Sequence, residues 1–308
     1  MSFNKDNRRK DKFDASRKYF DKKNIKNDAR KFNHHDEKIS DFATFINEKE
    51  IIFGLDIKDH MHRIRTNQQP ITYSYDQRKD TYSATKKINN EPREIKQTIT
   101  FEQMTTIECA YTYSLKYPDK KICILNFASA RQPGGGFLRG KAKAQEESIC
   151  YVSTLYHTIV DNDMYTINNN DHRKGLYHHI GIYSPEVFVF KQDRDDPKIL
   201  DKPFYVSVIT CPAVNKTFAL SNNLDDELID DTMFTRIDLV LHIASVHQPD
   251  ILILGAFGCG VFGNEVSTVS SMFNELLYDK YTNICEKVIF AIPDNKTFDD
   301  FYQSFNDE

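Results

Sequence analysis

The sequence predicts an α/β fold in which helices cover both faces of a sheet, and three observations carry that expectation. Several runs, among them "KICILNFA", "FYVSVITCPA", "DILIL" and "KVIFAIPD", are rich in Val, Ile and Leu almost without interruption, the pattern of strands buried on both faces. They alternate with segments whose apolar residues recur at helical spacing. Two glycine clusters, "PGGGFLRG" and "GAFGCGVFG", each follow a buried run and precede a helical one.

Residues 1–40 carry thirteen Lys and Arg against seven Asp and Glu, while the rest of the chain carries 28 against 38. The basic segment has too few apolar residues to offset the cost of ordering, so it is expected to be disordered or a loosely docked helix. From Ser40 to Asn67 apolar residues stand at helical spacing, which predicts a helical extension over residues 41–80 ahead of the main domain, 81–308. "TFEQMTTIECAYTYSLKYPD" predicts a helix capped by Thr100, with Gln103 three residues on and Met104, Ile107, Tyr111 and Leu115 on one face. It ends before Pro118. "KKICILNFASA" is a buried strand. "QEESICYVSTLYHTIV" reads as one helix through Ile149, Val152, Leu155, Tyr156 and Ile159. Strands follow at "HHIGIYS", "VFVF" and "FYVSVITCPA", then a helix at "DDTMFTRIDLVLHIASVHQ". The strand "DILIL" leads into the second glycine cluster and the helix "NEVSTVSSMFNELLYDKY". "KVIFAIPD" and "NKTFDDFYQSF" supply a last strand and helix.

The acidic body argues against wrapping nucleic acid, so no direct nucleic-acid partner is expected. Six cysteines lack any C-x-x-C pair and stand largely in apolar runs, as buried reduced thiols do. "MSFNKDNRRK" has no apolar core of a signal peptide, and "ILILGAFGCGVFG" is too short and too glycine-rich to span a bilayer. The expectation is a soluble intracellular monomer, cytoplasmic or nuclear, with no membrane contact. No His, Cys and Asp cluster has metal-ligand spacing, so neither metal nor cofactor is expected. The pairs His34-His35 and His178-His179 are read as surface or packing residues, because neighbours on a strand point to opposite faces.

Both glycine clusters fall where α/β folds bind ligands, beyond the carboxyl ends of strands. Backbone N–H groups of such a loop, with a helix N-terminus, suit an anion. Neither cluster is a nucleotide-binding P-loop, since "GAFGCGVFG" lacks the GK[ST] ending. Two loops facing one crevice favour a diphosphate. Between them stands Gln145-Glu146-Glu147. A helix start attracts acidic residues anyway, but side chains about 100° apart place Gln145 in line with Ile149, Val152 and Tyr156. Glu146 and Glu147 then diverge, Glu147 lying farthest from the apolar stripe, and different jobs are implied for the two.

"LNFASARQPGGGFLRGKAKAQEE" resembles the signature of microbial-type poly(ADP-ribose) glycohydrolases, macrodomain proteins in which GGG and QEE are separated by a short spacer, here of eight residues. "IYSPEVFVF" followed by "VITCPAVN" resembles the family's middle region, and "LILGAFGCGVFGN" its second phosphate loop. The resemblance runs over roughly residues 80–295. It implies a macrodomain, a mixed sheet sandwiched between helices, that binds ADP-ribose with its diphosphate between the loops. It implies that Glu147 is the catalytic acid and base and that Glu146 binds ribose hydroxyls. Gly134, Gly135 and Gly136 would line the distal ribose and phosphate. Gly258, Cys259, Gly260, Val261 and Phe262 would grip the diphosphate, Phe262 beside the reacting ribose. Asn126 and Gln145 would join the ligand contacts, and Phe290 is a candidate to stack on adenine. The implied activity is cleavage of ribose–ribose bonds in poly(ADP-ribose), with the polymer or ADP-ribosylated proteins as partners. Two other readings are an ADP-ribose-binding module and a mono-ADP-ribosyl-protein hydrolase. The intact glutamate pair argues against the first, and the pairing of GGG with QEE favours polymer over the second.

Overall fold

The computed structural model describes residues 51–52, 55–56, 69–89, 94–139, 144–193 and 199–307. Among the described residues the strands are β1 (Ile51–Ile52), β2 (Leu55–Asp56), β3 (Ile71–Asp76), β4 (Thr81–Ala84), β5 (Thr98–Glu102), β6 (Ile122–Phe127), β7 (Ile180–Lys191), β8 (Ile199–Cys211), β9 (Ile251–Leu254) and β10 (Lys287–Ala291). The helices are α1 (Thr106–Lys116), α2 (Gln145–Val152), α3 (Leu155–Ile159), α4 (Asp163–Asn169), α5 (Lys216–Ser221), α6 (Asp226–His247), α7 (Val266–Asp279) and α8 (Asn295–Asn306).

Eight strands form one mixed sheet in the order β4-β3-β7-β8-β6-β9-β10-β5. From β8 through β5 the pairings are parallel, and β7, β3 and β4 add to β8 antiparallel. Alternation along β6 divides its residues between two layers. Cys123 and Leu125 join the cluster built with α6, α7 and α8. Ile122 and Ile124 project to the other side, where α1 and α2 pack on β6. Phe273, Phe290 and Phe301 are fully buried in that first cluster, each worth roughly 1.5–3 kcal/mol by area removed from water.

Four sequence expectations are corrected. Thr100 does not cap a helix. The β-branched run Thr98–Glu102 pairs in parallel with β10, and the cap is Thr105, whose hydroxyl accepts from Glu108 N while the Glu108 carboxylate accepts from Thr105 N. "QEESICYVSTLYHTIV" is not one helix. Ser153 is extended, bridges Val189 and donates its hydroxyl to Ile149 O, and Thr154 Oγ1 accepts from Phe188 N; these side chains give the backbone an alternative to helix. "HHIGIYS" and "VFVF" belong to one strand, β7, whose register shifts between Ser184 and Val187 around Pro185, the place in a strand where proline is tolerated.

The fourth correction concerns the boundary at residue 80. β3 lies before it and pairs with both β4 and β7, so the sheet starts by Ile71. Within the expected 41–80 helical extension β1 and β2 pair antiparallel; residues 41–50, 53–54 and 57–68 of it, and the 1–40 tail, lie outside the described residues. Among the described residues no helix is long and apolar enough to cross a membrane.

Candidate active site

β8, β6, β9 and β10 run parallel and end at one edge of the sheet, at Cys211, Phe127, Leu254 and Ala291. A cavity of about 700 Å³ opens there, bounded by Thr105–Ile107, Phe127, Gln145, the loop Gly258–Phe262 and Ala291–Pro293. That is ample for a nucleotide-sized ligand.

The first glycine loop explains why bare backbone stands near two carboxylates. Gly134 and Gly135 have φ of 65° and 58°, the left-handed region that costs other residues roughly 1–2 kcal/mol. A Cβ on Gly135 would collide with Glu147 Oε1 and lie 2.9 Å from Glu147 Cδ and 3.2 Å from Glu146 Oε2. The loop folds back over the first turn of α2, so both carboxylates close on its backbone. Gly136 N donates to Glu147 Oε1 at 2.7 Å. Ser129 N donates to Glu146 Oε2 at 2.7 Å and Asn126 Nδ2 to Glu146 Oε1 at 3.3 Å.

The expected divergence of the two glutamates is therefore corrected. A helical wheel leaves out the loop that covers the helix start, and under that loop Glu146 is 2 % exposed and Glu147 9 %. Burial pushes the Glu146 carboxyl up to about 8, and the neighbouring Glu147 charge adds to this, against the lowering effect of its donors Ser129 and Asn126. Asn126 also donates to Thr210 Oγ1 at 3.3 Å, fixing it between β6 and β8.

Gln145 borders the cavity, but its amide serves the protein. Its Nε2 donates to Leu125 O at 2.7 Å and to Thr106 Oγ1 at 3.0 Å, and its Oε1 accepts from Phe127 N at 2.8 Å. α2 is thereby pinned to the end of β6, which sets the depth of the two glutamates that follow.

The second loop has a closed neck. Asn264 donates to Gly258 O through both its backbone N at 3.2 Å and its Nδ2 at 2.9 Å, and Nδ2 also reaches Val214 O at 2.8 Å. Gly258 has φ 77°, and a Cβ there would meet Ala213 Cβ at 2.6 Å and Asn264 Nδ2 at 2.7 Å. At Gly260 a Cβ would meet no protein atom within 4 Å, and Val261 is 89 % exposed; the loop tip faces open space. The thiol of Cys259 is pushed up to about 12 by burial. Phe262 O accepts from Thr217 N at 3.1 Å.

Asn126, Gly134, Gly135, Gly136, Glu146 and Glu147 thus form one cluster, with Gly135 and Gly136 half-buried and the others buried, and Gln145 with Gly258, Cys259, Gly260, Val261 and Phe262 borders the adjoining cavity. Phe290 is corrected as an adenine stacker: it is 0 % exposed and packed among Phe101, Phe273, Phe301 and Phe305. Sequence reasoning missed Asn264 as the clasp of the second loop, although an amide directly after "GVFG" is the available signal. Among the described residues no group of three His, Cys, Asp or Glu side chains could hold a metal ion.

A mixed sheet between helices, a cavity beyond the strand ends and two glycine loops around it define a macrodomain-like α/β domain. The model of the family described as microbial-type PARG, catalytic domain, matches residues 44–192. The poly(ADP-ribose) glycohydrolase of Deinococcus radiodurans, solved in complex with ADP-ribose, is 33 % identical, over 70 % of this chain and 86 % of that one, with a TM-score of 0.62. The enzyme of Thermomonospora curvata is 33 % identical over 71 % of this chain and 80 % of its own, with a TM-score of 0.64. Bound to the inhibitor ADP-HPD, the T. curvata enzyme matches at 35 % identity over 68 % and 79 %, with a TM-score of 0.62. Comparison with curated protein sequences finds no match. The chain belongs to the microbial-type poly(ADP-ribose) glycohydrolase family.

Proposed function

We propose that the chain hydrolyses the ribose–ribose O-glycosidic bonds of poly(ADP-ribose), releasing ADP-ribose, with Glu147 as the group that gives and then takes the proton. One observation carries the assignment. Glu146 has both oxygens engaged by protein donors, whereas Glu147 Oε2 has no partner among the described residues. That oxygen is itself buried, so a substrate oxygen or water entering the site would supply the hydrogen bond it lacks.

Cleavage needs a proton on the departing ribose oxygen and tolerance of an oxocarbenium-like sugar. Glu147, held through its other oxygen by Gly136 N, delivers the proton from Oε2, and the resulting carboxylate activates the attacking water. Glu146, held by Asn126 Nδ2 and Ser129 N, keeps lone pairs that can accept from ribose hydroxyls, which suits binding the sugar. Gly258–Phe262 present backbone at the cavity wall, where a diphosphate folded toward its own ribose would supply the negative charge that the cationic sugar needs. All six cysteines are free and five are buried, which supports a reducing, intracellular compartment. Incubating the protein with poly(ADP-ribose), and in parallel with mono-ADP-ribosylated protein, and chromatographing for free ADP-ribose tests the reading. Release from the polymer is expected; release from the mono-modified protein alone would replace it.

A further inference from the structure

The acidic body of this chain has a basic rim at one place beside the catalytic pair. Arg131, His172, Arg173 and Lys174 are exposed, and the two arginines meet at Tyr177. The Arg131 guanidinium stands 5.8 Å from the centre of the Tyr177 ring, and Arg173 donates to Tyr177 O at 3.1 Å. Asn169, the last residue of α4, donates to Arg131 O at 2.9 Å. The one carboxylate in the segment, Asp171, faces His178 at 3.6 Å. Tyr177 itself is rigidly placed. It is buried with φ 57°, and beneath it the fully buried Arg236 donates to Leu176 O at 2.9 Å, to Pro212 O and to a neutral His179.

The rim lies on a definite side of the site. The Tyr177 ring is 6.5 Å from that of Phe262, and Arg131 is two residues from Ser129, whose N–H holds Glu146. The start of β7 sits at the sheet edge where β8 ends, because the two strands are antiparallel. The cavity extends from there in the other direction, past β6 and β9 to the end of β10. Phe262 therefore borders both the cavity and the basic rim at Tyr177.

We infer that Arg131 and Arg173 form an anion subsite for the diphosphate of the neighbouring polymer unit, the one beyond the scissile bond. Guanidinium groups oriented by an aromatic face and a backbone carbonyl suit a phosphate held through two parallel hydrogen bonds. Exposed attraction of this kind is screened over about 8–10 Å at physiological salt, so it strengthens capture of the polymer at low ionic strength. The subsite rests on the reading that the cavity holds the ADP-ribose unit being released.

The test compares wild type with the double variant Arg131→Gln, Arg173→Gln on long poly(ADP-ribose) at low and high salt, with calorimetry for ADP-ribose. The expected result is a KM for polymer raised about five- to tenfold at low salt, corresponding to about 1–1.4 kcal/mol, converging with wild type as salt is added. ADP-ribose affinity should stay within about twofold, and the charge-preserving pair Arg131→Lys, Arg173→Lys should recover part of the loss. An unchanged polymer KM, with active wild type, overturns the subsite alone. An equal loss of ADP-ribose affinity also overturns it, by assigning the arginines to the cleaved unit or to folding. Wild type that fails to bind ADP-ribose overturns the cavity reading and the subsite with it.

Discussion

Glu147 Oε1 accepts the backbone N–H of Gly136 at 2.7 Å, while Oε2, itself buried, has no partner among the described residues. Replacing Glu147 by Gln preserves an oxygen for Gly136 N but exchanges the carboxyl for an amide that cannot give up or take a proton. The expected outcome is a turnover on poly(ADP-ribose) lower by about two to four orders of magnitude, with ADP-ribose affinity within a few-fold of wild type. Single-turnover release of ADP-ribose and calorimetry on the same preparation measure both. Near-normal turnover would transfer the acid role to another group, with Glu146 the first candidate.

Glu146 imposes a pH dependence on stability. Its folded-state pKa, about 8, lies above its ordinary value of 4.5. The folded protein therefore holds a proton that the unfolded chain has released between those values, and stability falls as pH rises through the window. His247, whose folded pKa is lowered to about 4 by burial, acts in the opposite direction below pH 6.5. Between pH 6.5 and 8 the Glu146 contribution stands apart, with a slope of at most about 1.4 kcal/mol per pH unit. Thermal melts of wild type and Glu146→Gln across this range should show the variant gaining stability relative to wild type as pH rises. Parallel curves would place the buried proton elsewhere.

How much of this was legible beforehand follows from which forces act locally. Buried strands such as "KICILNFA" and the helix over Val266–Asp279 announce themselves, because burial on one or both faces writes itself into residue type. The glycine loops and Glu146-Glu147 were legible for the same reason: few other functions need that pattern. The convergence of the two carboxylates was not, because it arises from the loop returning over α2, a contact between residues ten or more apart. Phe290 is a candidate for adenine stacking on sequence alone because the partners that bury it, Phe101, Phe273, Phe301 and Phe305, are scattered along the chain. Thr100 and Thr105 compete for one cap, and the pairing of Thr98–Glu102 with β10 decided between them, a tertiary fact that no local propensity contains.

The two glycine loops should fail differently when a side chain is added. At Gly135 a Cβ collides with Glu147 and adopts a left-handed backbone, so Gly135→Ala is expected to lose both activity and stability, the latter by about 1–2 kcal/mol from backbone strain before any steric term. At Gly260 a Cβ meets no protein atom within 4 Å. Gly260→Val is therefore expected to melt within a degree or two of wild type (less than about 0.5 kcal/mol, as for a surface change) while losing ADP-ribose binding, because the branched side chain would occupy the ligand's approach. Melting temperatures and calorimetric titrations of the two variants separate the cases. Undiminished binding in Gly260→Val would remove the second loop from the ligand site.

Asn264 closes the neck of the second loop, and its replacement should be felt by one part of the ligand only. Its Nδ2 ties Gly258 O at 2.9 Å to Val214 O at 2.8 Å, so the start of the loop and the turn after β8 move as one. Asn264→Asp keeps the shape of the side chain, removes both donations and sets a carboxylate against two carbonyl oxygens. Each lost hydrogen bond is worth about 0.5–1.5 kcal/mol, and much of that loss should appear as a loop that no longer holds Gly258–Phe262 in the binding geometry. Affinity for ADP-ribose and for ADP is expected to drop about ten- to a hundredfold. Adenosine, which lacks the diphosphate, should bind the variant as it binds wild type. That contrast separates positioning from general damage: a loss of adenosine affinity equal to that of ADP would mean that the substitution disrupts the whole edge of the sheet, and unchanged ADP affinity would mean that the loop holds its shape without the clasp.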